Sequence, residues 1–418
     1  MTHDRRCSMD ALQTVYRPLR RRRHPLDSGY ILAPMCVLAA MLVIAAFTGY
    51  WPWTRNPYNS YALQAASWLQ GRLDLGQDYP WLELAIVDGR YFVSFPPFPS
   101  LVLLPFVLIF GTDTPDTLIC WLVTLAGVVQ AMRIWKHLYG SSTGAFIYVL
   151  MLFLSSGYLF IAQAGWVWFM AQTFCFTLSL SSILYMLKGR RGLSLTLWAF
   201  AVGCRPLIAL FLPVLVILMR RRSSTQSWTV FLKKTWTSWI GVCITAAFYM
   251  TLNYLRFHNP LEFGHNYLPE FQTYGKQFSL SYVPEHLKLL LRLPEAGEDG
   301  VLRFDHQETY LLFLINPMYI TYLVSIPVSI VERYRCDPVM MLTVSGLAVL
   351  HLFVTCMHRT LGGFQFGNRY LLDALPFLYL GILLWKSDRR QFDECQLPLL
   401  VLGAGLNILG TVFTYLSH

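Results

Sequence analysis

The chain has 418 residues, of which 55% are apolar and only 13% charged, so an ordinary soluble domain is excluded and a polytopic membrane protein is expected. Its net charge of +10 reflects 33 Lys and Arg against 23 Asp and Glu. Most of the basic residues fall in the N-terminal segment and in short loops between apolar runs, which is the positive-inside pattern and not the footprint of a nucleic-acid binder.

In chain order, a basic cytosolic segment (residues 1–29, with Arg17, Arg20, Arg21, Arg22 and Arg23) precedes an uncharged run from Tyr30 to Phe47. As a helix that run is about 27 Å long, nearly the thickness of a hydrocarbon core. No small-x-small cleavage site follows it, so it reads as an uncleaved anchor. Comparable runs recur at Leu118 to Ile134, Thr143 to Ile161, Trp168 to Leu187, Ser194 to Met219, Thr235 to Tyr254, Leu311 to Val331, Val339 to Met357, Tyr370 to Trp385 and Leu397 to Leu416. They are continuous and do not alternate, so they are helices and not barrel strands. The expected fold is all-α: a transmembrane helical bundle over residues 30–418, with about eleven spans plus half-membrane elements.

Two stretches fit the half-membrane description. Ser194 to Met219 has basic flanks and is too short for two spans, whereas two short helices meeting at Cys204-Arg205-Pro206 fit. A broken backbone at that depth must line a cavity or pack against protein. Pro99 to Phe110 is too short for an untilted span, and reading it as a half element keeps every later basic loop in the cytoplasm, with the C-terminus outside. Two segments then face outward, about 49–100 and 257–310, and these hold about half of the carboxylates. Chemistry that needs carboxylates belongs there.

In the first outer segment, Asn56 can cap a helix opened by Pro57 and closed by Gly71, with Tyr58, Tyr61, Ala65 and Trp68 along one face. Asp88-Gly89 between ELAIV and RYFVSF is a two-residue hairpin signal. The second segment carries an amphipathic helix at Pro284 to Leu293, followed by Glu295, Glu298, Asp299, Asp305 and Glu308, and can cover the first. The nine cysteines form no CxxC pair, and His265, His351 and His358 have no companion spacing for a metal; they read as buried or interfacial residues. No metal site and no cofactor are expected, and assistance by a divalent cation stays open.

Asp78 and Glu83 flank Tyr79-Pro80-Trp81, which puts an aromatic patch suited to a sugar ring between two candidate catalytic carboxylates; Asp74, just after Gly71, is a third. Asp88 is expected to be consumed by its hairpin. Arg369, in Gly367-Asn368-Arg369-Tyr370 at the outer mouth of a span, can fork onto a phosphate. Arg205, at membrane depth, would cost at least about 2.5 kcal/mol if left unpaired. Its partner is either a lipid phosphate or Asp373. Tyr58, Asn59, Tyr61, Trp81 and Trp166 are candidate ligand contacts, and Trp168 stands beside Trp166 in the same outer loop.

The segments NPYNSYALQAASWLQGRLDL, DGRYFVSFPPFPSLVLLPFVLIFG, CRPLIALFLPVLVILMRR, NYLRFHNPLEFG and FGNRYLLDALPFLYL, in that order, make the chain resemble the bacterial GT-C type membrane glycosyltransferases. That group surrounds the protein mannosyltransferases and the lipid A sugar transferases. The resemblance implies a sugar carried on polyprenyl phosphate, an outer-face transfer to a cell-envelope glycan, lipid or protein, an acidic residue in the first outer loop, and inversion at the anomeric carbon. An aspartate usually sits shortly after the first span in that group, and Thr54 to Asn59 contains none. An amide is no general base, so Asp78, Glu83 or Asp74 would take the role. The rival readings are a transporter or lipid flippase, or a non-catalytic GT-C-like protein. The cytosolic pieces leave no room for a nucleotide-binding domain, and few carboxylates lie in mid-span, as an ion-coupled carrier would need.

Overall fold

The computed structural model describes residues 29–140, 144–223, 227–273, 275–293, 295–296, 302–303, 311–332, 337–386 and 390–417. The basic N-terminal segment up to residue 28, Arg333 and Arg335, and most of the acidic stretch 294–310 lie outside the described residues.

Helices dominate. Six are long and apolar enough to cross a membrane among the described residues: Gly29–Thr48 (α1), Asp116–Tyr139, Val167–Leu187, Trp228–Phe257, Pro338–Met357 and Gln391–Leu416. Shorter apolar helices stand beside them at Phe98–Phe110, Ala145–Leu154, Arg191–Val202 and Met318–Val331. The protein is therefore a multi-pass membrane protein, with long spans supplemented by the shorter apolar elements.

After α1 comes a short helix, Ser60–Leu69 (α2), then the hairpin Leu84–Val87 (β1) and Arg90–Val93 (β2). Asp88 and Gly89 both take positive φ, 50° and 69°, the two-residue turn whose twist matches paired strands. The helix starts later than the sequence suggests. Asn59, not Asn56, precedes it, and neither it nor Pro57 caps it. Asn56 is instead buried, accepting from the Tyr58 N–H and donating its amide to Asp116 (2.8 Å) and to the Gly165 carbonyl (2.6 Å). Phe98–Phe110 (α3) returns the chain to the membrane as a half-length helix packed on α2.

Asp116–Tyr139 (α4) leads to a run that is broken where the sequence suggests one span. Ala145–Leu154 (α5) ends, and Tyr158–Ala162 (α6) begins anew. The break is fastened: the Ser155 hydroxyl donates to the Leu400 carbonyl at 2.8 Å, and the Gly157 N–H donates to Asn316 at 3.1 Å. Val167–Leu187 (α7) is the central helix, buried on nearly every face against α4 and Arg191–Val202 (α8). The chain then breaks at Cys204-Arg205, runs through a 3-10 turn at Pro206–Phe211 and resumes as Leu212–Arg221 (α9). Two proline-opened pieces replace a span, because each Pro lacks an N–H and is tolerated only in a first turn.

Trp228–Thr235 (α10) and Ile240–Phe257 (α11) rise to the second outer segment, whose described helices are Pro269–Thr273 (α12) and Val283–Leu291 (α13). Leu312–Ile315 (α14), Met318–Glu332 (α15) and Pro338–Met357 (α16) follow. Leu375–Trp385 (α17) is buried along its whole length, and Arg390–Glu394 (α18) and Leu397–Leu416 (α19) complete the bundle. The outer helices expose apolar side chains instead: Met35 and Phe47 on α1, Ile244 on α11, Leu342 and Val349 on α16, Val401 and Leu409 on α19. Such faces are stable only against acyl chains.

Candidate active site

Residues of the segments expected to face outward meet over the central helices around a cavity of about 500 Å³. Its walls include Glu83, Trp168, Arg205, His265, Glu270 and Arg369. Three elements that sequence separates by more than a hundred residues are thus brought to one place: the hairpin base, the break after α8, and the turn before α17.

Glu83 is placed by the hairpin. It precedes β1 opposite Ser94, whose hydroxyl donates to the Glu83 carbonyl at 3.0 Å and so fixes the backbone beneath the carboxylate. The Trp168 indole N–H donates to Glu83 Oε2 at 3.0 Å, and Oε1 has no hydrogen-bond partner among the described residues. Burial pushes the carboxyl above the ordinary glutamate range, and the nearby Glu270 adds to this; the Trp168 bond and Arg369 pull the other way. The first effect outweighs the last two.

Arg369 is held by a strained turn. Gly362 has φ +131°, and a Cβ there would lie 2.6 Å from Gln365 Oε1 and 3.3 Å from Arg369 Cγ, so only glycine fits. Its carbonyl accepts from Arg369 Nε at 2.7 Å and also from Nη2, and the guanidinium lies 5.1 Å from the Tyr370 ring centroid. Nη1 is buried with no hydrogen-bond partner among the described residues. A buried guanidinium N–H left unmade is costly, and no carboxylate neutralises this residue in an ion pair among the described residues. Arg205, on the other hand, has a counter-charge: its Nε donates to Asp373 Oδ2 at 3.0 Å, and it stacks 4.6 Å from the Tyr370 ring centroid. Gln172 braces this pair, donating to Asp373 Oδ1 at 2.8 Å and to the Arg369 carbonyl. Nη1 and Nη2 of Arg205 make no bonds to the described protein, and the residue lines the cavity.

The other sequence candidates lie elsewhere. Asp74 is ion-paired to Arg90 near the surface, and that hydrogen bond holds its carboxyl below the usual range. Asp78 is exposed. Asp88 faces His258 at 3.7 Å on the surface. Trp81 is 59% exposed, donates to the Pro57 carbonyl and borders, with Asn59, a separate groove of about 550 Å³. Tyr58 and Trp166 belong to one aromatic cluster with centroids 5.1 Å apart, and Trp166 is buried. Tyr61 is buried 6.4 Å from Phe95. None of these eight side chains lines the main cavity; of the residues expected to be catalytic, phosphate-binding or sugar-contacting, Glu83, Arg205 and Arg369 do.

Three cavity residues carried no positional signal: Glu270 and His265 in the second outer segment, and His358 at the end of α16. Each arrives through packing between segments distant in sequence. Among the described residues no group of three or more His, Cys, Asp and Glu could hold a metal.

No family model matches the chain, and no curated protein matches it. Among solved structures it is similar to ArnT from Cupriavidus metallidurans bound to undecaprenyl phosphate, with 14% identity and a TM-score of 0.51 over 92% of this chain and 76% of that one. Apo ArnT from the same organism gives 13% identity and a TM-score of 0.53 over the same shares. The Archaeoglobus fulgidus oligosaccharyltransferase in its apo form is 9% identical, with a TM-score of 0.46 over 92% of this chain and 56% of that one. At these identities the likeness is one of fold: the chain shares the fold of ArnT from Cupriavidus metallidurans over 92% of its length.

Proposed function

We propose that this chain, built on the GT-C fold, is a membrane glycosyltransferase that moves a hexosyl or pentosyl group from a polyprenyl-phosphate carrier to a nucleophile on a cell-envelope glycan, lipid or protein. The cavity then lies on the outer face, with the N-terminus cytoplasmic and the C-terminus outside. The observation that carries the reading is Arg369: a buried guanidinium with one unpartnered N–H, on a residue that lines the same cavity as a desolvated carboxylate. The undecaprenyl phosphate bound to the ArnT of similar fold supports a polyprenyl-phosphate ligand here.

In this reading Arg369 and the free nitrogens of Arg205 bind the donor phosphate, and Glu83 faces the acceptor. Glu83 takes the proton of the attacking hydroxyl as that oxygen bonds to the anomeric carbon. The bond from the anomeric carbon to the phosphate oxygen breaks, and its electron pair leaves on the phosphate, where the two guanidinium groups stabilise the gathering charge. One displacement inverts the anomeric centre. Raised basicity suits Glu83 to this task, and the bidentate geometry of guanidinium suits phosphate.

The test is transfer by the purified full chain in lipid nanodiscs, given undecaprenyl phosphate hexosides and pentosides and an envelope extract. Release of undecaprenyl phosphate, followed by mass spectrometry, is expected from the wild type and not from Glu83→Gln. Release unaffected by Glu83→Gln would remove the proposed base.

A further inference from the structure

His265 lines the cavity 6.1 Å from His358 between ring centroids, yet the two histidines are wired differently. His358 has both ring nitrogens engaged, Nδ1 by the Thr360 N–H and hydroxyl (3.4 and 3.3 Å) and Nε2 by the Gln277 side-chain amide (3.3 Å). His265 uses one nitrogen only. Its Nδ1 lies 3.3 Å from the Ser94 carbonyl, and a carbonyl can only accept, so the proton sits on Nδ1. A neutral ring has one proton, which leaves Nε2 as a bare lone pair with no partner among the described residues.

The ring is kept neutral and fixed. Burial pulls its pKa down to about 4, and Arg205 and Arg369 act the same way against the opposing pull of the Ser94 carbonyl and Glu262. Phe95 and Phe271 flank it at 5.6 and 5.5 Å between centroids. Gly264, at φ +105°, makes the turn into it, and a Cβ there would lie 2.6 Å from the Phe257 ring. Ser94 is the common anchor: its hydroxyl holds the Glu83 backbone and its carbonyl holds His265. The cavity lining thus holds two acceptors without a partner among the described residues, Glu83 Oε1 and His265 Nε2, together with the cationic groups of Arg205 and Arg369.

We infer that His265 Nε2 accepts a hydrogen bond from a hydroxyl of the donor's sugar ring and so reads the glycosyl group apart from its phosphate. This rests on the function proposed above. If the phosphate is held by the guanidinium groups, the sugar joined to it lies in the same enclosed space, and a site built to accept from a hydroxyl rejects what lacks one. His265 is then a specificity residue, not the base.

The experiment compares binding of bare undecaprenyl phosphate with binding of a panel of undecaprenyl phosphate hexosides and pentosides, using the full chain in nanodiscs. The wild type is expected to prefer at least one glycosylated carrier. His265→Ala should bind bare undecaprenyl phosphate within about two-fold of wild type while losing about ten-fold of that preference. His265→Gln, whose amide oxygen can replace the acceptor, should recover part of it, and this controls for misfolding. A preference unchanged in His265→Ala, or equal weakening of bare and glycosylated carriers, overturns the inference and leaves the proposed function standing. A wild type that binds bare undecaprenyl phosphate but prefers no glycosylated carrier overturns it as well. Failure of the wild type to bind any polyprenyl phosphate overturns both.

Discussion

The Trp168 indole donates to Glu83 Oε2 at 3.0 Å and leaves Oε1 open to the cavity, so one oxygen of the carboxylate is spent on orientation and the other is available for chemistry. The bond also ties the first outer hairpin to the N-terminal turn of α7, the most buried long helix of the bundle. A base held by a rigid element loses little entropy in reaching its substrate.

Glu83→Gln keeps the shape and the Trp168 contact but removes the proton acceptor. Transfer should fall by about 10²- to 10⁴-fold, the usual share of general-base catalysis. Undecaprenyl phosphate binding measured alongside should change little.

The pH profile follows from the sign of the shift. Only ionised Glu83 can take a proton, and burial raises its pKa, so the acid limb of kcat/KM should lie above the ordinary glutamate range. Arg369 and the Trp168 bond oppose the rise, so Trp168→Phe should move that limb to still higher pH. A limb unmoved in Trp168→Phe would mean that another group titrates.

Arg369→Lys keeps the charge but not the fork that grips Gly362 with two nitrogens and leaves a third, buried one without a partner among the described residues. Affinity for undecaprenyl phosphate should drop by about ten- to a hundred-fold, the range for a lost charge-assisted hydrogen bond. Isothermal titration with the lipid in detergent would measure it.

Asn56→Asp places a second carboxylate 2.8 Å from Asp116, which is itself 2% exposed. Like charges in a buried site repel, and the amide's donation to Gly165 is also lost, so the variant should be destabilised by about 2 kcal/mol or more. Thermal unfolding in detergent would read the loss, and no gain of transfer is expected, because Asn56 does not line the main cavity.

Much of the architecture was legible in sequence because its causes are local. Asp88-Gly89 needs two positive φ values and gives a hairpin, and Cys204-Arg205-Pro206 between short apolar runs gives a broken helix. The run from Thr143 to Ile161 misleads for the opposite reason: it is uniformly apolar, and the break at Ser155–Gly157 is set by partners on α19 and near α15, far along the chain. The site divides in the same way. Glu83, Arg205 and Arg369 stand out by residue type at a membrane boundary. Nothing local separates Glu83 from Asp74 and Asp78; the difference is that Arg90 reaches Asp74 across the hairpin and that the second outer segment closes over Glu83 alone. Likewise, His265 gains its open nitrogen only from a contact with Ser94.

Cryo-electron microscopy of the full chain in nanodiscs with undecaprenyl phosphate tests the central claim most directly. Phosphate density is expected within hydrogen-bonding distance of the Arg369 and Arg205 guanidinium groups, in the cavity lined by Glu83. Phosphate bound elsewhere, with that cavity unfilled at saturating lipid, would contradict the account.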